Sequence, residues 1–263
     1  MIGLYDYMLL IENLSFSFPA EKGKNPIFID LSMKVKQGEF VSVIGASGSG
    51  KSTLFKLISG LLQPVSGSVA IKGVVTKKIL GKVGYMPQKD LLMPWRTLMG
   101  NMLLPAELSR SDKKRSIKQI SEWIDRFGLT GYENAYPHEL SGGMKQRAAF
   151  LRTIMTGKDL LLLDEPFGAL DSMTKRSMQT WLLDLWEELE KTVIFITHDL
   201  EEAILLSDKI YILGKKERSL REIKVEFPRP RTPDLIYDPL FLEKRKELER
   251  LIQHEGQMET MEQ

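Results

Sequence analysis

Two kinds of hydrophobic patterning alternate along the chain. Residues 40–44, 160–163 and 193–197 form short runs, β-branched or leucine-rich with few polar positions, and each is followed by Gly, Asp or His. Runs of that length and character suit strands buried on both faces of a parallel sheet. Between them, apolar positions recur every three or four residues. Ile117, Ile120, Ile124 and Phe127 fall on one helical face, and Met178, Trp181, Leu182, Leu185 and Leu189 on another. Strand and helix signals in alternation predict an α/β core. Residues 90–156 carry helix and loop signals without a strand, which predicts a helical lobe inserted into that core. The segment Phe227-Pro228-Arg229-Pro230-Arg231-Thr232-Pro233 reads as a Pro-rich linker. Beyond it Phe241, Leu248, Leu251 and Ile252 could line one face of a terminal helix that frays after Gly256.

Composition narrows the class. The 263 residues suffice for one sizeable core with a smaller attached lobe. Apolar residues at 43% and charged residues at 27% exclude a disordered or fibrous chain. The net charge of +2, from 37 basic and 35 acidic side chains, creates no average field for nucleic acid or anionic lipid, so no nucleic-acid partner is expected. Without cysteine there is no disulfide, thiolate metal site or cysteine nucleophile, which fits a reducing compartment. No apolar run reaches the roughly 18 to 20 residues of a membrane span. The opening residues, with Tyr5, Asp6 and Tyr7, do not read as a secretion signal. A role at a membrane would need another chain to hold the protein there.

Directly after the first strand run stands Gly45-Ala46-Ser47-Gly48-Ser49-Gly50-Lys51-Ser52, which fits G-x-x-x-x-G-K-[ST] and leads into a helical pattern ending at Gly60. Glycines let such a loop curl so that its N–H groups face phosphate oxygens, and the helix start adds partial positive charge. Lys51 supplies a point charge to the β- and γ-phosphates, the Ser52 hydroxyl coordinates Mg²⁺, and Thr53 offers a further hydroxyl. The leucine run ends in Asp164 and Glu165, where a parallel sheet opens its ligand crevice. Asp164 can hold Mg²⁺ through water, and Glu165 can polarise the water that attacks the γ-phosphate. Ser141, Gly142 and Gly143, ahead of another helical pattern, form a second candidate anion cradle.

In this order the motifs resemble the nucleotide-binding subunit of an ATP-binding cassette (ABC) transporter, over residues 10–227. Gly45–Ser52 looks like its Walker A motif, Leu160 to Glu165 like Walker B, and Leu140, Ser141, Gly142, Gly143, Met144 and Gln146 like its signature. Gln88 matches the Q-loop, which adds a metal ligand and a catalytic contact. Ala169-Leu170-Asp171 matches the D-loop, His198 the switch histidine, and Phe18 the aromatic that stacks on adenine, with Phe16 a competing aromatic two positions away. The resemblance implies a P-loop NTPase (RecA-like) core, about 1–89 and 157–227, with an N-terminal β subdomain and an α-helical subdomain at about 90–156. Residues 228–263 form the linker and tail. It also implies an ATPase whose catalytic groups are Lys51, Gln88, Glu165 and His198, with ATP and Mg²⁺ as its cofactors.

The family's assembly follows. The signature of one subunit closes on ATP held by Walker A of another, which implies a homodimer, or a pair with a similar cassette, with Asp171 crossing the interface. Leu92, Met93, Pro94 and Trp95 lie where the family receives a helix of its integral-membrane permease. That places the chain at the cytoplasmic face of the cell membrane, working indirectly with an extracytoplasmic solute-binding protein. Pro94-Trp95 followed by Thr97, with the Pro-Arg-Pro-Arg segment, resembles importers of nitrate, aliphatic sulfonates and taurine; importers of pyrimidine vitamin precursors or riboflavin look similar here. Soluble ABC ATPases of DNA repair or translation share the catalytic motifs, but the former insert long coiled coils and the latter carry two cassettes. Exporters usually fuse cassette and membrane domain.

Overall fold

The computed structural model describes residues 6–18, 26–75, 78–168, 170–214 and 218–257. Ala169 and the side chain of His254 lie outside the described residues, as does the chain after residue 257. Strands β1 (Tyr7–Phe16), β2 (Phe28–Lys36) and β3 (Phe40–Ile44) come first, then helix α1 (Lys51–Ile58), β4 (Ser66–Ile71), the short β5 (Val74–Val75) and β6 (Gly84–Met86). Three helices follow, α2 (Leu98–Leu108), α3 (Lys113–Arg126) and α4 (Gly142–Ile154). The chain then returns to β7 (Leu160–Asp164), α5 (Ser172–Leu189), β8 (Thr192–Ile196), α6 (Leu200–Leu206), β9 (Lys209–Leu213), β10 (Leu220–Lys224) and α7 (Pro239–Gln257).

Two sheets result. β2-β1-β4-β5 is antiparallel, and it draws on residues that the sequence assigned jointly to the first part of the core. The larger sheet runs β10-β9-β3-β8-β7-β6, parallel throughout except for β10 at its edge. Alternate residues of its strands serve two cores. Leu160 and Leu162 of β7 pack with α1 and the antiparallel sheet, whereas Leu161 and Leu163 pack toward the helices of the other face. This is why these strands lack a polar face. Each leucine buried this way stabilises the fold by about 1.5–3 kcal/mol.

Local differences from the sequence reading have identifiable causes. The strand expected at 193–197 is displaced by one residue, to Thr192–Ile196. Thr192 fits inside because its hydroxyl accepts the Gly38 N–H at 2.9 Å, and Thr197 leaves the sheet because its hydroxyl bonds Glu202 and the Asp199 N–H. On α3, Ile120, Ile124 and the following Phe127 are buried, but Ile117 is exposed, because only the C-terminal half of that helix packs on the core.

The Pro-rich segment is fastened down rather than loose. The Arg231 guanidinium is buried and donates to the carbonyls of Ile204, Leu205, Ser207 and Phe227 at 2.6–3.2 Å. Three of these acceptors lie at the end of α6, where a helix leaves carbonyls without intrahelical partners. Arg229 bonds Asp208 and the Leu206 carbonyl, and its guanidinium lies 4.0 Å from the centre of the Trp186 ring. α7 then buries Phe241 and Leu248 completely, with Leu251 and Ile252 packed beside them. Replacing Arg231 with Met strands these carbonyls, so Arg231→Met is expected to lower the unfolding free energy by about 3 kcal/mol in urea titration. Lys244→Ala, which removes only a surface pair with Glu247, should cost less than about 0.5 kcal/mol.

Candidate nucleotide-binding site

β3, β8, β7 and β6 are neighbours and parallel, so the residues after their carboxyl ends meet along one edge of the sheet. A cavity of about 530 Å³ opens there, lined by the loop from Gly45 to Thr53 together with Gln88, Glu165 and His198. The loop fits tightly against its surroundings. A Cβ on Gly45 would stand 2.6 Å from the Leu213 carbonyl oxygen, and Gly50 has φ +103°, a conformation that L side chains rarely adopt. α1 starts without a side-chain cap or an acidic residue in its first turn, so the N–H groups of Lys51, Ser52 and Thr53 stay available to an anion. Lys51 is buried, and its ammonium donates to the carbonyls of Gly45 at 2.8 Å and Ala46 at 3.0 Å. Burial pushes its pKa down, against the opposing pull of Glu165 and Asp164. Ser49 Oγ is buried without a hydrogen-bond partner among the described residues. A polar atom orphaned inside this loop fits a site built for phosphate oxygens.

Glu165 is the hub of the opposite wall. Gln88 Nε2 donates to its Oε2 at 3.1 Å, and His198 Nδ1 lies 3.4 Å from the same oxygen. Its backbone has φ +46°, unusual for a residue with a side chain, and is fixed there by N–H donation to the Ile196 carbonyl and acceptance from Gly168 N–H. Asp164 is buried, and burial raises its pKa, partly offset by hydrogen bonds from Tyr85 at 3.3 Å and from Ser52. A buried carboxylate beside a hydroxyl and an amide suits a hard divalent cation, which takes few protein ligands and keeps water and phosphate oxygens. Among the described residues no cluster of three or more His, Cys, Asp or Glu forms a dedicated metal cage.

The family profile described as ABC transporter matches residues 28–168. The formylaminopyrimidine import ATP-binding protein of Halalkalibacterium halodurans is 47% identical over 205 residues, covering 78% of this chain and 79% of the relative. The chain belongs to the ABC transporter family. An aliphatic sulfonates import ATP-binding protein of Bacillus cereus is 38% identical over 95% of this chain and 98% of its own, and a nitrate import ATP-binding protein of Synechocystis is 36% identical over 96% and 97%. These are similar to the importer subgroups named by the sequence. A bacterial ABC transporter cassette solved as a dimer superposes with TM-score 0.72 at 31% identity, covering 84% of this chain and all of that one. The same cassette in a dimeric post-hydrolysis state bound to ADP and Pi matches with TM-score 0.72 at 29% identity. With that family membership and the likeness to a cassette solved in a post-hydrolysis state, this ABC chain is an ATPase.

Other motif residues fall outside the cavity. Ser141 and Gly142 are exposed and Gly143 and Met144 half-buried at the start of α4, where the Ser141 hydroxyl accepts the Met144 N–H. Leu140 and Gln146, expected to meet a nucleotide, are instead buried: Leu140 belongs to the core, and Gln146 sits among Phe150, Phe167 and Trp181 because it points inward from α4. Asp171 caps α5, accepting from the N–H groups of Met173 and Thr174 and the Thr174 hydroxyl. Phe18 is exposed and edge-on to Phe16 at 5.1 Å, whereas Phe16 is core. Of the expected permease contacts, Pro94 is exposed, Trp95 is 72% exposed and Met93 is half-buried. Leu92 does not join them, because its side chain turns into the core.

Two participants were missed from the sequence. Tyr85 reaches Asp164 from β6, and Ile27 lines the cavity. Tyr85 opens the stretch Tyr85-Met86-Pro87-Gln88 that carries the Q-loop match but had no role assigned to it, and Ile27 belongs to no motif. The left-handed backbone at Glu165 yields a separable expectation. Glu165→Gly and Glu165→Ala should both abolish ATP turnover in a phosphate-release assay, but the glycine variant should be about 1 kcal/mol the more stable in thermal unfolding.

Proposed function

We propose that this ATPase energises an ABC importer for a small solute, acting as one of two cassettes at the cytoplasmic face of a membrane and driving a separate permease. The observation that carries this reading is the division of the anion-binding elements. Lys51, Gln88, Glu165 and His198 surround one cavity, while Ser141 to Gly143, exposed or half-buried at the start of α4, line no part of it. A γ-phosphate at Lys51 carries charge that a second ring of N–H donors could satisfy, so ATP would join two copies and hydrolysis would loosen them. Asp171 and the exposed Met173 would lie near that joint.

Within the cavity, the N–H groups of residues 45–53 and the Lys51 ammonium bind and orient the phosphates. Phe18 offers a ring face to the adenine. Glu165 takes up the proton of the attacking water as that water's oxygen bonds the γ-phosphorus and the bond to ADP breaks. Gln88 and His198, both on Glu165 Oε2, hold that carboxylate in line. Ser52, Gln88 and, through water, Asp164 would hold Mg²⁺, which when bound neutralises charge on the β- and γ-phosphate oxygens.

Support for import comes from likeness to three proteins whose names assign them to import, two of them matched over 95% or more of this chain and the third over 78%. Exposed Pro94 and Trp95 suit a docking face for a permease helix, and among the described residues no helix is long and apolar enough to cross a membrane. An extracytoplasmic binding protein would select the solute. Nitrate, sulfonate or taurine is one reading. A pyrimidine vitamin precursor is the other, favoured by 47% identity against 38% and 36%. The test deletes the gene in its native cell and measures uptake of labelled formylaminopyrimidine, taurine and nitrate. Loss of one uptake, restored by the wild-type gene but not by Lys51→Ala, is the expected result. Unchanged uptake of all three would contradict these solute assignments.

A further inference from the structure

Arg152 lies on α4, ten residues beyond Gly142 and away from the cavity. Among the described residues its guanidinium forms no salt bridge, although the Asp90 carboxylate acts on it electrostatically. Nη1 donates to the Leu91 carbonyl at 2.7 Å and Nη2 to the Asp90 carbonyl at 2.5 Å, so one planar fork spans two successive backbone acceptors. The loop it grips starts two residues after Gln88, whose amide meets Glu165. Leu91 is held in the left-handed region at φ +46°, and the Asp90 carboxylate accepts the Leu92 N–H at 2.9 Å. From the other side, fully buried Asn101 of α2 accepts the Met93 N–H and donates to the carbonyls of Met93, Arg96 and Thr97. Residues 90–97 are therefore anchored at both flanks, with Trp95 exposed between the anchors. The two anchors differ in kind. Asn101 belongs to the next helix in sequence, whereas Arg152 belongs to the helix that begins at the second anion cradle.

We propose that Arg152 is a positioning residue that ties the loop carrying Gln88 to the helix beginning at Ser141 to Gly143, so that the placement of α4 is delivered to Glu165 through Gln88. The inference rests on the reading of Gln88 and Glu165 given above. It makes the signature helix and the exposed Trp95 face one mechanical unit with the hydrolytic carboxylate. Small misplacements of a positioned group cost rate rather than substrate binding. The loss on breaking the Arg152 fork should accordingly fall on kcat and leave KM for ATP nearly unchanged.

A double-mutant cycle on the purified full chain decides this. Arg152→Gln is expected to lower kcat about tenfold with KM for ATP within about twofold, and to lower kcat less than about twofold when placed in a Gln88→Ala background. A thermal melt of each variant confirms folding. If Arg152→Gln shows no cooperative melt, Arg152→Lys takes its place. Its single ammonium reaches one carbonyl, so a loss of about threefold with Gln88 and none without it is expected. The same loss in both backgrounds, or wild-type kcat in the Arg152 variant, overturns the inference while leaving the reading of Gln88 intact. Wild-type kcat in Gln88→Ala alone overturns both.

Discussion

Four neighbouring parallel strands must end on the same edge of their sheet, and the chemistry of this protein depends on that geometric constraint. Gly45 follows β3, Glu165 follows β7, His198 comes two residues after β8 and Gln88 two residues after β6. No two of these residues are close in sequence, yet parallel pairing brings all four to one cavity. The sheet can hold that arrangement because it is buried on both faces, with Leu160 and Leu162 facing one core and Leu161 and Leu163 the other. Hydrophobic burial fixes the strands, and the strands fix the polar groups that burial alone would exclude.

Around the phosphate loop, stability has been exchanged for position. Glu165 occupies a left-handed backbone conformation, Asp164 is a carboxylate made less acidic by burial, and Ser49 Oγ is buried without a partner. Each is unfavourable in isolation, and their concentration around Lys51 marks a site formed to meet a multiply charged ligand. Outside it Gln146 Oε1 is also buried without a partner among the described residues, whereas several larger polar groups are held by backbone carbonyls. Arg231, Arg152 and Asn101 each donate to two or more backbone carbonyls, and all three fasten elements next to the site: the end of α6, the loop after Gln88, and that loop's outer limb.

The readable parts of the fold were those whose requirements are local. A strand, six residues with three glycines, and a lysine at a helix start specify the phosphate loop almost by adjacency, and a leucine run ending in Asp164 and Glu165 specifies the strand edge facing it. Side-chain direction was less legible. Leu92 and Trp95 belong to one apolar stretch, but the first is core and the second exposed, and the difference is set by Asn101 and Arg152 from other helices. Leu140 and Gln146 share a motif with exposed Ser141 yet face inward. The Pro-rich segment looked like a spacer because the acceptors of Arg229 and Arg231 are mostly backbone carbonyls, which leave no trace in residue identity.

Composite function is the central proposal: the loop at Gly45 to Thr53 would be half of a site, with Ser141 to Gly143 of a second copy supplying the rest. The absence of cysteine permits a direct test, because introduced thiols have no native competitors. In a Glu165→Gln background, chosen to slow hydrolysis of bound ATP, Ser47→Cys and Ser141→Cys are combined in one chain and oxidised with and without Mg-ATP. Non-reducing electrophoresis should show ATP-dependent conversion to a covalent species of twice the 30.1 kDa chain mass, since a disulfide requires the two Cα atoms to approach within about 7 Å. A chain that remains single at saturating Mg-ATP would contradict the composite site.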